Sequence, residues 1–158
     1  MLLMATGIGD TPGPGAAVDY GVVPETTGGF AWARTGYRAL AWVLLACIAI
    51  QVFLAGLAVV NGPANWGMHT GFVHLFELLP LAMIPLAFLG QLPNRLRWHQ
   101  LVVFLLIGLQ YALIYGFPGL VGISAVAALH PVNALLIFWV TLGMARGSSM
   151  KRSPAVAG

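Results

Sequence analysis

Residues 37–60 have the sequence YRALAWVLLACIAIQVFLAGLAVV, with Arg38 as the one charged residue in the stretch. At about 1.5 Å of rise per residue, an α-helix of this length crosses the roughly 30 Å hydrocarbon core of a bilayer. Backbone groups that face lipid must bond within their own segment, so the segment has to be helical. The stretch therefore predicts a transmembrane helix.

Three more apolar runs follow, separated by short linkers. The runs occupy residues 64–91, 98–116 and 124–146, and the linkers occupy 61–63, 92–95 and 117–123. The chain is 59% hydrophobic and 7% charged, far below the roughly 25% charged residues of soluble domains. Short linkers make consecutive helices antiparallel neighbours. We predict an all-α integral membrane four-helix bundle in a lipid bilayer, with Pro80 and Pro85 bending the second helix and Pro131 the fourth.

The basic residues all flank the apolar runs on one predicted side of the membrane. They are Arg34, Arg38, Arg95, Arg97, Arg146, Lys151 and Arg152. The positive-inside rule then places both termini in the cytoplasm. These bases form no basic stripe, so nucleic-acid binding is not expected. We predict a flexible Gly/Pro-rich cytoplasmic tail at 1–33, a transmembrane domain at 34–146 and a short basic cytoplasmic tail at 147–158.

A set of polar side chains lies inside the predicted spans, where such groups usually face a bundle interior, a cavity or a cofactor. They are Gln51, His69, His74, Glu77, Gln110, His130 and Asn133. Counted from the outer helix ends, His69 and His130 lie at similar depths of about 8–9 Å. Two imidazoles at one height between apolar helices are typical axial ligands of haem b. We predict His69 and His130 as iron ligands, with Gln51 and Asn133 in the same cofactor-binding layer.

Two features near these histidines allow more than one interpretation. Gly67 and Gly71 flank His69 as G-x-x-x-G, which permits close approach of a haem, or only of a neighbouring helix. His69 and His130 could instead form hydrogen bonds between helices or a polar lining. His99, at the cytoplasmic start of the third helix, is expected at the membrane interface, where ionisable groups cost little.

His74 is the alternative iron ligand on the second helix. It follows His69 by five residues and so points roughly 140° away around the helix, which means that both cannot hold one iron. His74 and Glu77 are three residues apart and share a face. The pair suits a hydrogen-bonded contact, a proton relay or a group that supports a metal ligand.

Two segments carry a resemblance to a known family. IQVFLAGLAVV at 50–60 precedes the helix with His69, and ALHPVNALLIFW at 128–139 contains His130. Together they resemble one half of heme A synthase, whose four-helix units carry haem-ligating histidines on their second and fourth helices. They also resemble uncharacterised bacterial four-span membrane families with a Q-x-F-L-A-G-L segment and a late L-H-P motif.

The resemblance implies that His130 matches the fourth-helix histidine and that His69 or His74 matches the second-helix one. The chain lacks that family's glutamate just before the second-helix histidine and has only one four-helix unit. What the resemblance implies is therefore a haem b site in the plasma membrane of a bacterium, and not haem A synthesis.

The leading hypothesis is a membrane b-type cytochrome, or the haem-binding anchor subunit of a redox complex that exchanges electrons with quinone or another carrier. One alternative is a cofactor-free structural subunit that binds other membrane protein subunits. Another is a small proton-coupled transporter that uses His74 and Glu77. Neither a nucleophile motif nor a phosphate-binding glycine loop is present to suggest a complete enzyme.

Overall fold

The computed structural model describes residues 30–149, and every regular element in that range is helical. The α-helices are α1 (Ala31–Asn61), α2 (Trp66–Val73), α3 (Leu79–Leu89), α4 (Asn94–Tyr111), α5 (Phe117–Val121) and α6 (Leu129–Ser149). Three described helical segments are long and apolar enough to cross a membrane, namely Ala31–Asn61, Asn94–Val121 and Ser124–Ser148. The predicted all-α membrane architecture is confirmed at that level. Most of the predicted tails lies outside the described residues, but α1 already begins at Ala31 and α6 continues to Ser149, so residues 31–33 and 147–149 are helical.

Prolines shape the second and fourth predicted helices differently from the expectation. Residues 74–78 form turns, so the second run is divided into α2 and α3 and is not one helix. Pro80 has no N–H to bond the Phe76 carbonyl, and its ring would clash with that carbonyl. The predicted bend at Pro80 is therefore a break just before it, while Pro85 lies inside α3. Pro131 stands in the first turn of α6, where no helical hydrogen bond is lost.

The third predicted helix continues beyond its expected end at Gly116. A π-helical turn at Ala112–Gly116 leads directly into α5, so residues 117–121 are helical and not a linker. The wider turn accommodates Pro118, which cannot bond the preceding turn. Gly122 then ends the segment with φ 68°, a left-handed conformation that glycine adopts without strain.

The helices pack in a ring. α1 contacts α2, α3 and α6, and α4 contacts α3 and α6. The segment made of α2 and α3 therefore lies diagonally across the ring from α6. Among the described helices, α2 has no close backbone contact with α4 or α6, although α3 does contact α4. The helices therefore contact one another all around the ring in the half that contains α3, which we call the closed half. In the half that contains α2 they are separated, and we call it the open half.

The closed half of the ring holds a packed apolar core. Its buried side chains come from α1, α3, α4 and α6 and include Tyr37, Ala41, Leu44, Met83, Ala87, Val103 and Met144. The Tyr37 hydroxyl donates to the Leu96 carbonyl oxygen at 3.1 Å and lies 3.3 Å from Gln100 Oε1. Interior packing at this density resists compression, so the closed half gives the open half a rigid base.

Two arginines of α1 connect the helix ends of the closed half. Arg34 Nε donates to the Gly90 carbonyl oxygen at 2.8 Å, just after α3. Arg38 Nε donates to the Ser148 carbonyl oxygen at 3.0 Å, at the end of α6. Basic groups near helix C-termini satisfy carbonyls that have no partner within the helix. The start of α1 thus lies beside the ends of α3 and α6.

Four apolar side chains form the boundary between the two halves. They are buried in the core and also line the cavity of the open half, and we call them the floor residues: Ile48, Phe76, Ile107 and Ile137. α1, the turn segment before α3, α4 and α6 each contribute one of them. The floor is therefore built by all four parts of the ring.

Candidate cofactor site

The open half of the ring encloses a cavity of about 1000 Å³. Most of its lining is apolar, and its polar or aromatic-polar groups are Gln51, Trp66, His69, Thr70, His74, Gln110, Tyr111, Tyr115 and His130. Cofactor and ligand sites typically have volumes of about 300–1,000 Å³ and an apolar lining with a few convergent polar groups. The cavity has the size and composition of such a site.

His69 is held on α2 by a single glutamine of α1. Its Nδ1 lies 3.1 Å from the Gln51 backbone carbonyl oxygen, which can only accept, so Nδ1 carries the proton in this hydrogen bond. The Gln51 side-chain amide donates to the His69 carbonyl oxygen at 2.8 Å and lies 3.4 Å from His69 Nε2. A proton on Nδ1 leaves a lone pair on Nε2, which is the form in which imidazole binds a metal, and in this structure the Gln51 amide nitrogen lies next to that lone pair.

His130 has a corresponding glutamine partner on α4. Its Nδ1 lies 3.4 Å from the Gln110 backbone carbonyl oxygen. With its NH₂ group toward His130, the Gln110 side chain donates to the His130 carbonyl oxygen at 3.0 Å and lies 3.1 Å from Nδ1. If Nδ1 carries the proton, it donates to the Gln110 backbone carbonyl oxygen. If Nδ1 is unprotonated, it accepts from the Gln110 side-chain amide. The first of these tautomers leaves Nε2 free for a metal.

The rings of the two histidines lie close together in the cavity. Their ring centroids are 6.3 Å apart with an angle of 62° between the ring planes. Both side chains are partly buried, and both line the cavity. The structure therefore brings together the two residues that the sequence placed at one depth.

The other predicted site residues divide into two groups. Gln51 and His74 line the same cavity. Gly67 and Gly71 do not, and a Cβ built on either would meet no atom within 4 Å, so no described helix packs against them. Asn133 faces a smaller, apolar cavity between α4, α5 and α6, and its Nδ2 donates to the Leu106 carbonyl oxygen at 2.8 Å. Asn133 thus connects α6 to α4.

A second polar cluster lies at the edge of the cavity. His74 Nδ1 lies 3.0 Å from Glu77 Oε1, and the Tyr111 hydroxyl donates to Glu77 Oε2 at 2.5 Å. The predicted contact of His74 with Glu77 is therefore present in the structure. Tyr111 was missed by the sequence reasoning. Its signal was its place directly after Gln110 on the same apolar helix.

Two further observations concern metals and the remaining histidine. Within residues 30–149, no group of three His, Cys, Asp or Glu side chains is placed to hold a metal ion. His99 is not among the residues that line the main cavity, and it lies in the first turns of α4, in the closed half.

A family described as a family of unknown function (DUF6220) matches residues 51–116. The matched range begins at Gln51 and contains His69, Glu77 and Tyr111, whereas His130 lies outside it. No curated protein and no solved structure matches the chain significantly. The similarity is therefore confined to less than half of the chain, from the end of α1 to the turn before α5.

Proposed function

We propose that the chain is a small membrane b-type cytochrome, or the haem-binding anchor subunit of a redox complex. In this proposal His69 and His130 hold a haem b between α2 and α6. One observation carries it: the rings of His69 and His130 lie together in a largely apolar cavity with centroids 6.3 Å apart. Two neutral imidazoles in such a setting are a common haem ligand pair.

The distance between the rings fits the group. An imidazole nitrogen binds a metal at about 2.0 Å, so the rings of two histidines that would hold one iron would have centroids roughly 6 Å apart. The observed separation is 6.3 Å. The cavity of about 1000 Å³ is also large enough for a cofactor of that class.

The chain's own residues prepare the histidines for this role. The Gln51 carbonyl holds the proton of His69 on Nδ1, and the Gln110 carbonyl can do the same for His130. Partners of this kind fix the tautomer and the ring orientation of metal-binding histidines. The apolar lining excludes water from the rings. A bound haem would supply reversible one-electron transfer.

A four-span topology with both termini in the cytoplasm is part of the proposal. The second span would be α2 and α3 together, with the break at 74–78 covered by the neighbouring helices. Arg34 and Arg38 lie beside the ends of α3 and α6, and Arg95 and Arg97 begin α4. The described basic residues therefore collect at one end of the ring, as the positive-inside rule requires.

The topology can be tested by labelling single cysteines in a Cys47→Ala background. A membrane-impermeant maleimide should label Asn61→Cys in intact cells and should label Ser148→Cys only after permeabilisation. Labelling of both from the same side would refute the four-span arrangement.

The haem proposal is tested by the visible spectrum of protein purified from cells supplied with haem. We expect a reduced-minus-oxidised α band that is lost in His69→Ala and in His130→Ala. His99→Ala is the matched control, because that histidine lies outside the cavity, and it should keep the band. Retention of the band in His130→Ala, or a folded wild-type protein without haem, would refute the proposal.

A further inference from the structure

The cluster of His74, Glu77 and Tyr111 lies in the part of the chain where lipid is expected, yet it is polar. The side chain of His74 is 63% exposed and that of Glu77 is 26% exposed. Both stand at the break between α2 and α3, within the second proposed span. An ionisable pair that faces lipid is costly unless a polar group covers it. The position therefore calls for a partner with hydrogen-bonding groups.

The internal bonds of the cluster leave one atom available for such a partner. Glu77 uses one oxygen for His74 Nδ1 and the other for the Tyr111 hydroxyl. Among the described residues, His74 Nε2 has no hydrogen-bond partner. A histidine whose Nδ1–H is held by a carboxylate presents Nε2 as a base, and the carboxylate stabilises the imidazolium that forms. His74 is therefore arranged to accept a proton.

The surroundings favour a flat, apolar molecule. The His74 and Tyr111 rings are 6.5 Å apart and within 18° of parallel, and Tyr111 and Tyr115 are 6.5 Å apart and within 27°. All three line the cavity, and Tyr115 is 71% exposed. They form an aromatic rim where the cavity meets the lipid. A ligand dissolved in the bilayer could enter there without crossing water.

We propose that His74, Glu77 and Tyr111 bind the hydroxyl end of a membrane quinol, with His74 Nε2 as the proton acceptor. The planar ring of the quinol lies against the aromatic rim, and its hydrocarbon chain occupies apolar lining or lipid. The redox step rests on the proposed function, whereas binding of the quinol does not.

The step balances as follows. Oxidation of one quinol to quinone breaks two O–H bonds and releases two protons and two electrons. Each proton forms an N–H bond at His74 Nε2 and leaves to water before the next one. The two electrons would pass one at a time to the haem of the proposed function, which would supply the one-electron acceptor.

The test is the binding of the reduced form, a benzoquinol with a ten-carbon alkyl chain, to purified full-length protein under anaerobic reducing conditions, followed by the change in tryptophan fluorescence. Trp66 lines the cavity, so Trp66→Phe shows how much of the signal comes from there. We expect His74→Ala and Glu77→Gln to raise Kd roughly tenfold or more, as for loss of a hydrogen bond that involves a charged group. Tyr111→Phe should raise Kd severalfold, and His99→Ala should leave it unchanged.

Each outcome separates the two proposals. Colourless His130→Ala protein that still binds the quinol with wild-type affinity supports a quinol site distinct from the histidine pair. Wild-type protein that carries haem, with a Kd for the quinol unaffected by His74→Ala and Glu77→Gln, overturns the quinol site and leaves the haem proposal intact. Solute flux in vesicles that is lost in Glu77→Gln, with quinol binding unchanged, would also overturn it. Melting temperatures of the variants identify any that are merely unfolded.

Discussion

Tyr37→Phe offers a direct test of the packed base beneath the cavity. The change removes one hydroxyl and keeps the ring, which is 0% exposed among the α1, α3, α4 and α6 side chains. The hydroxyl bonds the Leu96 carbonyl oxygen and lies within reach of Gln100 Oε1. The Leu96 carbonyl oxygen lies in α4, where the helix offers it a second hydrogen bond. Loss of the Tyr37 hydroxyl therefore affects Gln100 Oε1 most, because it is the acceptor left without a partner.

Two magnitudes bound the effect. A buried acceptor left without a partner costs about 1–3 kcal/mol, whereas polar contacts between membrane helices average about 0.6 kcal/mol in double-mutant cycles. Because Gln100 is fully buried, we expect Tyr37→Phe to lower the free energy of unfolding by about 1–2 kcal/mol. The assay is equilibrium unfolding in mixed micelles, with Tyr115→Phe at the exposed rim as the control.

A double-mutant cycle tests whether the loss of stability in Tyr37→Phe comes from its contact with Gln100. Gln100→Leu removes the acceptor, so Tyr37→Phe should cost at least about 0.5 kcal/mol less in that background. Additive losses would show that the two groups do not interact. A Tyr37→Phe loss no larger than that of Tyr115→Phe would refute the view that this contact stabilises the closed half.

Two further changes probe the cavity and the helix ends. Ala134→Trp places a large side chain in the cavity lining and should reduce the haem α band by more than half per protein molecule. Val132→Trp is the control, because Val132 lies outside that lining, and it should keep the band. Equal bands in the two variants would contradict the assignment of haem to this cavity. Gly90→Ala should lower the free energy of unfolding by about 1–3 kcal/mol through overpacking, because its Cβ would lie 2.9 Å from the Leu86 carbonyl oxygen and 3.1 Å from Arg34 Cγ. Gly56→Ala, with open space around it, should be close to neutral, and denaturant titration compares the two.

The helices were predictable where length and hydrophobicity decide the structure. The run at 37–60 lies within α1, and the run at 124–146 lies within the helical segment Ser124–Ser148. Apolar pattern alone did not predict the break at 74–78. The missing N–H of Pro80 acts on the preceding turn, so the disruption appears four residues earlier than the proline itself. The apolar pattern also did not predict the π-helical turn through which the third helical segment continues beyond Pro118.

The depth of the candidate site residues in the membrane was predictable from the sequence, but the direction in which their side chains point was less so. Depth follows from counting residues along a helix, and the rings of His69 and His130 do lie close together, with centroids 6.3 Å apart. Direction depends on how helices rotate and separate. Asn133 was expected in the same layer as His69, but it points toward the Leu106 carbonyl and the smaller cavity. Tyr111 meets Glu77 from a residue 34 positions away in sequence, a contact that no local pattern encodes.

The same division between packed and open halves explains why the cavity is suited to a ligand. Ile48, Phe76, Ile107 and Ile137 close the floor, while α2 stays clear of α4 and α6. The side chains that line an empty apolar cavity lack dispersion contacts, and this loss favours collapse of the cavity. Gln51 Oε1, beside His69, is already buried and has no hydrogen-bond partner among the described residues, and buried polar atoms without partners are rare. A ligand that fills the cavity restores the dispersion contacts that its apolar lining lacks when the cavity is empty.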